Sequence, residues 1–162
     1  MKATTTAALA AMVLAMACPG AALAAPTDAS DGPIAAPPAP ATYAAVSAAL
    51  SKAGAPYASG AAGPDAFDCS GLTLWALARA GIAAPHSSYA QYAMGTGVAR
   101  SEIRRGDLVF FDSAGAGASH VGLAISPTTV VSATNHGVMT HPIFDAYWGG
   151  HYVGARRLGD AG

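Results

Sequence analysis

The sequence predicts an α+β domain in which helices come first and an antiparallel sheet follows. Residues 42–52 and 69–80 carry apolar side chains at helical spacing. After Gly106 the pattern changes to short runs of β-branched and aromatic residues, separated by turn residues at hairpin spacing. Helices followed by closely spaced strands are typical of the α+β class.

Three helices are expected before residue 93. Thr42 can cap the first, and Gly54 can stop it. Asp68 can cap the second, whose nearly continuous apolar positions predict burial on most sides. Residues 87–92 are expected to form a short third helix. The expected strands that follow are residues 106–111, 120–125, 128–133, 137–140 and 152–157.

The first 24 residues have the features of a secretory signal. Lys2 supplies a positive charge, residues 8–17 are apolar, and Ala22-Leu23-Ala24 fits a cleavage site. The apolar run is shorter than the roughly 20 residues of a membrane span. We therefore expect cleavage after Ala24 and a secreted or cell-envelope protein without a transmembrane span. Lipid attachment at Cys18 is the alternative.

Composition divides the rest of the chain into a linker and one domain. Residues 25–41 contain five prolines and too few apolar side chains for a core, and residues 42–159 have the length of an ordinary domain. Past Ala24, seven basic residues face nine acidic ones, with no basic stripe that would suit nucleic acid. No phosphate-binding or dinucleotide motif is present, and we expect a protein that needs no cofactor. We also expect a monomer.

Cys69 is the candidate nucleophile. It follows the capping Asp68, so it lies in the first turn of a helix, where free N–H groups and the helix dipole favour a thiolate. A lone cysteine is more often a small buried apolar residue. However, Cys18 lies in the predicted signal, and a single thiol left in an exported protein needs a reason.

His120 is the candidate base. It opens a predicted strand directly after the Gly-, Ala- and Ser-rich loop 113–119. A buried structural histidine is the ordinary explanation for such a residue. Packing of the Cys69 helix on the sheet would nevertheless bring a thiol and an imidazole together, and such a pair is activated as thiolate and imidazolium.

These residues carry a family resemblance that covers nearly all of residues 42–158. The matching segments are Phe67-Asp68-Cys69-Ser70-Gly71-Leu72, then Pro85 with Ser88 and Gln91, Gly106-Asp107-Leu108-Val109-Phe110-Phe111, His120-Val121-Gly122, and Tyr152-Val153-Gly154-Ala155-Arg156-Arg157. In this order and spacing the chain resembles the NlpC/P60 family of cell-wall cysteine peptidases.

The resemblance implies a papain-like α+β domain that hydrolyses peptidoglycan stem peptides, typically between D-γ-glutamate and a diamino acid. It implies that Cys69 is the nucleophile, which forms a thioester, and that His120 is the base. It also implies that Tyr57 lines the site and that Asp68 and Ser70 help to recognise a free substrate amine.

The third catalytic position of the family, twelve residues after the histidine, falls on Ser132. A serine hydroxyl can accept a hydrogen bond from an imidazole N–H, but it offers no charge. His136 and Asn135 are alternatives, because a tight turn could bring either side chain back toward His120.

A metal site is not expected. His136, His141 and His151 lack a metalloprotease helix motif and an acidic partner at ligand spacing. Two other functions stay open. One is a catalytically weak wall-binding module that has lost its third residue, and the other is an amidase or acyl transferase of the same superfamily.

Overall fold

The computed structural model describes residues 40–159. The predicted signal, the possible lipid site at Cys18 and nearly all of the predicted linker lie outside these residues. Three helices precede the sheet, as the sequence predicts: α1 is Ala41–Leu50, α2 is Cys69–Arg79 and α3 is Ser88–Tyr92. Thr42 is not the cap of α1, because the helix already begins at Ala41 with Pro40 before it.

Six strands form one sheet. They are β1 (Thr96–Val98), β2 (Leu108–Phe111), β3 (His120–Ser126), β4 (Thr129–Thr134), β5 (Gly137–Pro142) and β6 (Tyr152–Arg157). Their order across the sheet is β1-β6-β2-β3-β4-β5, and every neighbouring pair is antiparallel. The α+β prediction is confirmed. Two short elements were not predicted: the 3₁₀ helix Arg100–Glu102 and β1, a three-residue strand that pairs with β6.

The two faces of the sheet bury different clusters. Alternate strand residues point to opposite faces, so Val121 and Leu123 pack with α1 and α2 in the main core. Val109, Phe111, Ala124 and Val130 belong to a second cluster, against which Phe144, Trp148 and Tyr152 pack. His120 and Ser132 alternate with main-core residues of their strands and therefore lie on the second face.

Two buried polar residues hold the elements in register. The side chain of Gln91 is fully buried and donates to the carbonyls of Ser70 and Pro85, which ties α3 to the start of α2. Asp107 accepts from Nε and Nη2 of Arg157 at 2.8 Å each, which joins β2 to the last strand. Buried polar groups need such partners.

No helix among residues 40–159 is long and apolar enough to cross a membrane.

Candidate active site

The local fold places Cys69 at the first position of α2. Oδ1 of Asp68 accepts a 2.6 Å hydrogen bond from the Gly71 N–H, so Asp68 is the N-cap that the sequence predicts. A Cβ atom at Gly71 would collide with the carbonyl oxygen of Ala61. Only glycine therefore lets the preceding loop cross so close to the helix. The loop and the cap together fix the direction of the Cys69 side chain.

The thiol of Cys69 meets the start of β3. Its sulfur lies 4.0 Å from the Ser119 carbonyl oxygen and receives the N–H of Val121. These two residues flank His120, so the helix terminus and the strand that carries the imidazole meet at this point. Cys69 is only partly buried, whereas the His120 side chain is 6 % exposed.

Burial opposes charge on both groups. It raises the pKa of the Cys69 thiol, although hydrogen bonds from the N–H groups of Val121, Ser70 and Cys69 itself act in the other direction. Burial, helped by the neighbouring His141, lowers the pKa of His120 to about 4. The free protein therefore favours a neutral thiol and a neutral imidazole. The preformed thiolate expected at the helix terminus is not favoured, because desolvation outweighs the helix N–H groups.

Ser132 is the polar partner of His120. Its hydroxyl oxygen lies 3.1 Å from His120 Nε2, and the side chain is fully buried. Gly122 makes room for this contact, since a Cβ atom there would lie 2.9 Å from the Ser132 Cβ and 2.7 Å from the Val131 carbonyl oxygen. His136 lies in the turn between β4 and β5, where its N–H donates to Thr134 Oγ1.

His141 also belongs to this site, as a partner of Ser132 that the sequence did not predict. Its Nε2 lies 2.9 Å from the Ser132 hydroxyl oxygen, which also contacts His120. The side chain is 4 % exposed, and its ring stacks on Trp148 with centroids 3.8 Å apart and 19° between the planes. From the sequence alone, His141 is a candidate only for a metal site, which is not expected.

A groove of about 520 Å³ opens beside these residues. Its wall combines aromatic, sulfur-containing and small polar side chains; its members include Tyr57, His120, Asn135, His136, Met139, Tyr147 and Trp148. None of the side chains that line it is an Arg, Lys, Asp or Glu. A groove of this kind suits a neutral, extended chain better than a polyanion.

Of the predicted recognition residues, Asp68 and Ser70 flank Cys69 in the sequence, and Tyr57 lies near Cys69 and also lines the groove. Tyr57 is 42 % exposed, and burial together with the nearby Cys69 and Asp68 raises its pKa. The Asp68 carboxylate also accepts from Gly60 N at 2.8 Å and from His86 Nε2 at 3.0 and 3.1 Å. Ser70 is 7 % exposed and donates to the same carboxylate.

Among residues 40–159, no group of three His, Cys, Asp or Glu could hold a metal ion.

Comparisons with known proteins point to one family. The NlpC/P60 family model matches residues 54–157. A probable endopeptidase of Corynebacterium glutamicum is 50 % identical over 101 residues, which are 62 % of this chain and 47 % of that protein. The probable endopeptidase p60 of Listeria monocytogenes is 43 % identical over 105 residues, or 65 % of this chain and 22 % of that one. The chain thus spans less than half the length of these relatives.

Solved structures agree with this match. An NLP/P60 family protein of Staphylococcus aureus, described as similar to a lipoprotein, superposes with a TM-score of 0.67 at 31 % identity, over 73 % of this chain and 41 % of its own. The peptidoglycan hydrolase RipB of Mycobacterium tuberculosis gives a TM-score of 0.62 at 30 % identity, over 73 % of this chain and 64 % of its own.

Proposed function

The chain belongs to the NlpC/P60 family, and on that premise we propose that it is a cysteine endopeptidase acting on the stem peptides of peptidoglycan. The observation that carries the proposal is the position of the Cys69 sulfur, at the start of α2 and against the backbone on both sides of His120. Two further features support it: a groove beside the imidazole and relatives named as endopeptidases and a peptidoglycan hydrolase.

In the proposed reaction, His120 acts as a general base. The Cys69 sulfur attacks the scissile carbonyl carbon while its proton passes to Nδ1 of the neutral imidazole. The N–H of Cys69 or of a neighbouring residue stabilises the oxyanion. The resulting imidazolium then protonates the leaving amine, and a thioester remains on Cys69. His120 finally deprotonates the water that hydrolyses the thioester.

Substrate recognition is proposed for the residues beside Cys69. A substrate with a free amino group would place its ammonium near Tyr57 and Asp68, with Ser70 fixing the carboxylate. His86 Nε2 already donates to both oxygens of Asp68, so an ammonium would compete with this imidazole. The groove wall formed by Met139, Tyr147 and Trp148 would receive the other side of the scissile bond.

The proposed scissile bond joins D-γ-glutamate to a diamino acid. This substrate lies outside the cytoplasm, in agreement with the predicted secretory signal, and cleavage after Ala24 stays a prediction. Digestion of purified peptidoglycan of two chemotypes, followed by mass analysis of the fragments, tests the bond. We expect fragments with a new amino terminus on the diamino acid. Release of whole stem peptides from the glycan would instead identify an amidase.

A matched pair of histidine variants makes this digest specific for the site. His120→Gln removes the proposed base and should abolish cleavage. His151→Gln changes a partly exposed histidine that pairs with Asp112 at 2.7 Å and should retain cleavage. An undiminished rate for His120→Gln would refute the proposed role. A wild-type protein that binds peptidoglycan without cutting it would favour the wall-binding module.

A further inference from the structure

Three polar side chains form a continuous chain on the second face of the sheet. His120 lies on β3, Ser132 on β4 and His141 on β5, so each of three consecutive strands contributes one residue. The Ser132 oxygen stands between the two imidazoles, 3.1 Å from Nε2 of His120 and 2.9 Å from Nε2 of His141. All three side chains are at most 6 % exposed.

The direction of each hydrogen bond in this series follows from its final acceptor, the backbone carbonyl of Pro142. Nδ1 of His141 lies 2.9 Å from the Pro142 carbonyl oxygen, which can only accept. Nδ1 therefore carries the hydrogen of the neutral ring, and Nε2 offers a lone pair. The Ser132 hydroxyl must donate to that lone pair, so its oxygen is left to accept from His120. It follows that His120 carries its hydrogen on Nε2 and keeps a lone pair on Nδ1, the atom needed to take the thiol proton.

Aromatic rings enclose this chain. Trp148 stacks on His141 and lies over His120 with centroids 5.4 Å apart and 29° between the planes. The ring centroid of Phe111 lies 6.0 Å from that of His120 and 5.8 Å from that of His141. The turn that presents Trp148 is held by Asp145, whose Oδ1 accepts from the Trp148 N–H at 2.6 Å. Ser132 and His141 are buried beside these rings, so a hydrogen bond lost between them leaves a costly unpaired polar group.

We propose that His141 is a positioning residue that acts on His120 through the hydroxyl of Ser132. Ser132 and His141, from neighbouring strands, would together orient the imidazole, which is the role of the single third catalytic residue that the family resemblance implies. The inference rests on the proposed function. During catalysis the protons that move pass through His120 Nδ1, which takes them from Cys69 Sγ and from the attacking water and gives one to the leaving amine. The hydrogens on His120 Nε2, Ser132 Oγ and His141 Nδ1 stay in place and hold the ring.

Two substitutions at position 141 separate this role from packing. In His141→Gln, the side-chain amide reaches the place of Nε2, so its oxygen can still accept from Ser132. In His141→Asn, the amide reaches only the place of Nδ1, and Ser132 loses its acceptor. We expect His141→Gln to keep kcat within about fivefold of wild type and His141→Asn to lower it about 10- to 100-fold, by analogy with the partners that orient metal-bound imidazoles.

The double variant Ser132→Ala/His141→Asn tests whether both residues act along one path. If His141 works only through Ser132, the double variant should be no slower than Ser132→Ala alone, within about twofold. Multiplied losses would overturn the proposal, because His141 would then act by another route. Equal losses in His141→Gln and His141→Asn would overturn it as well, since packing alone would explain them.

A spectroscopic measurement tests the hydrogen-bond directions among His120, Ser132 and His141 without any substrate. Nitrogen NMR of ¹⁵N-histidine-labelled wild type should show hydrogen on Nε2 of His120 and on Nδ1 of His141 near neutral pH. Hydrogen on Nδ1 of His120 would overturn the proposal. A protein that shows the expected tautomers but cuts no peptidoglycan would instead contradict the proposed function, so the two failures are distinguishable.

Discussion

Nε2 of His120 lies 3.1 Å from the hydroxyl oxygen of Ser132, its partner on the neighbouring strand. This contact places a serine at the position that the family resemblance assigns to a third catalytic residue. A hydroxyl can orient a neutral imidazole, but it brings no charge to stabilise an imidazolium. The low pKa of His120, caused first by burial, is consistent with a base that is neutral at rest.

Gly122 should be essential for this contact. A Cβ atom there would lie 2.5 Å from Val130 Cγ2 and 2.9 Å from Ser132 Cβ, so Gly122→Ala should lower the free energy of unfolding by about 1–3 kcal/mol, as overpacking does. Gly97→Ala is the matched control in β1, since its Cβ would meet only Arg156 Nη1 at 3.7 Å. Urea unfolding of both variants is the measurement. Equal stability of the two would show that the β4 contact is not tight.

Stability should fall in weak acid because of His120. The unfolded chain binds a proton near the ordinary pKa of 6.5, whereas the folded protein binds it only near pH 4. Below pH 6.5 protons therefore favour the unfolded state, by up to roughly 3 kcal/mol at pH 4. Urea unfolding of wild type and His120→Gln at about pH 7 and about pH 4.5 is the test. The wild type should lose more stability, and equal losses would contradict the burial of an uncharged imidazole.

The rate of Cys69 alkylation by iodoacetamide should keep rising as the pH passes the ordinary pKa of a thiol. The thiolate is the reactive form, and burial raises the pKa of this thiol. The rate, followed by mass analysis of the peptide that contains Cys69, should therefore show no plateau near neutral pH. A neutral-pH plateau that His120→Gln removes would instead indicate a preformed thiolate–imidazolium pair.

His86 should weaken the binding of substrates with a free amine. Its Nε2 occupies both oxygens of Asp68, and removing it leaves acceptors for an ammonium. His86→Ala should lower KM about two- to fivefold for a stem peptide with a free amino terminus, the effect of one partly exposed ion pair. The same peptide with an acetylated terminus is the control. Similar changes in KM for both peptides would argue against amine recognition by Asp68.

The sequence predicts the frame of this site well because its signals are local. The capping Asp68, the helix it starts and the strand that begins at His120 are all visible as short patterns. Strand β1 was missed because its three residues include a glycine and gain their hydrogen bonds from β6, about sixty positions away. A pairing of that range leaves no local pattern.

His141 could have been found from the register of one hairpin. Thr134 pairs with Gly137, so only two residues form the turn, and Ser132 faces Met139. The residue two positions beyond Met139 lies on the same face and diagonally opposite Ser132, and that residue is His141. The pKa directions of Cys69 and His120 could not be predicted, because they depend on how deeply the tertiary fold buries each group.

The rate of stem-peptide cleavage by Cys69→Ala tests whether Cys69 is the nucleophile. The substitution removes one sulfur atom at the start of α2 and keeps the cap and the helix, so the fold should remain, which circular dichroism and urea unfolding can verify. With purified muropeptides we expect wild type to release fragments and Cys69→Ala to be slower by about a thousandfold or more. Cleavage of the same muropeptides by folded Cys69→Ala at the wild-type rate would show that Cys69 is not the nucleophile.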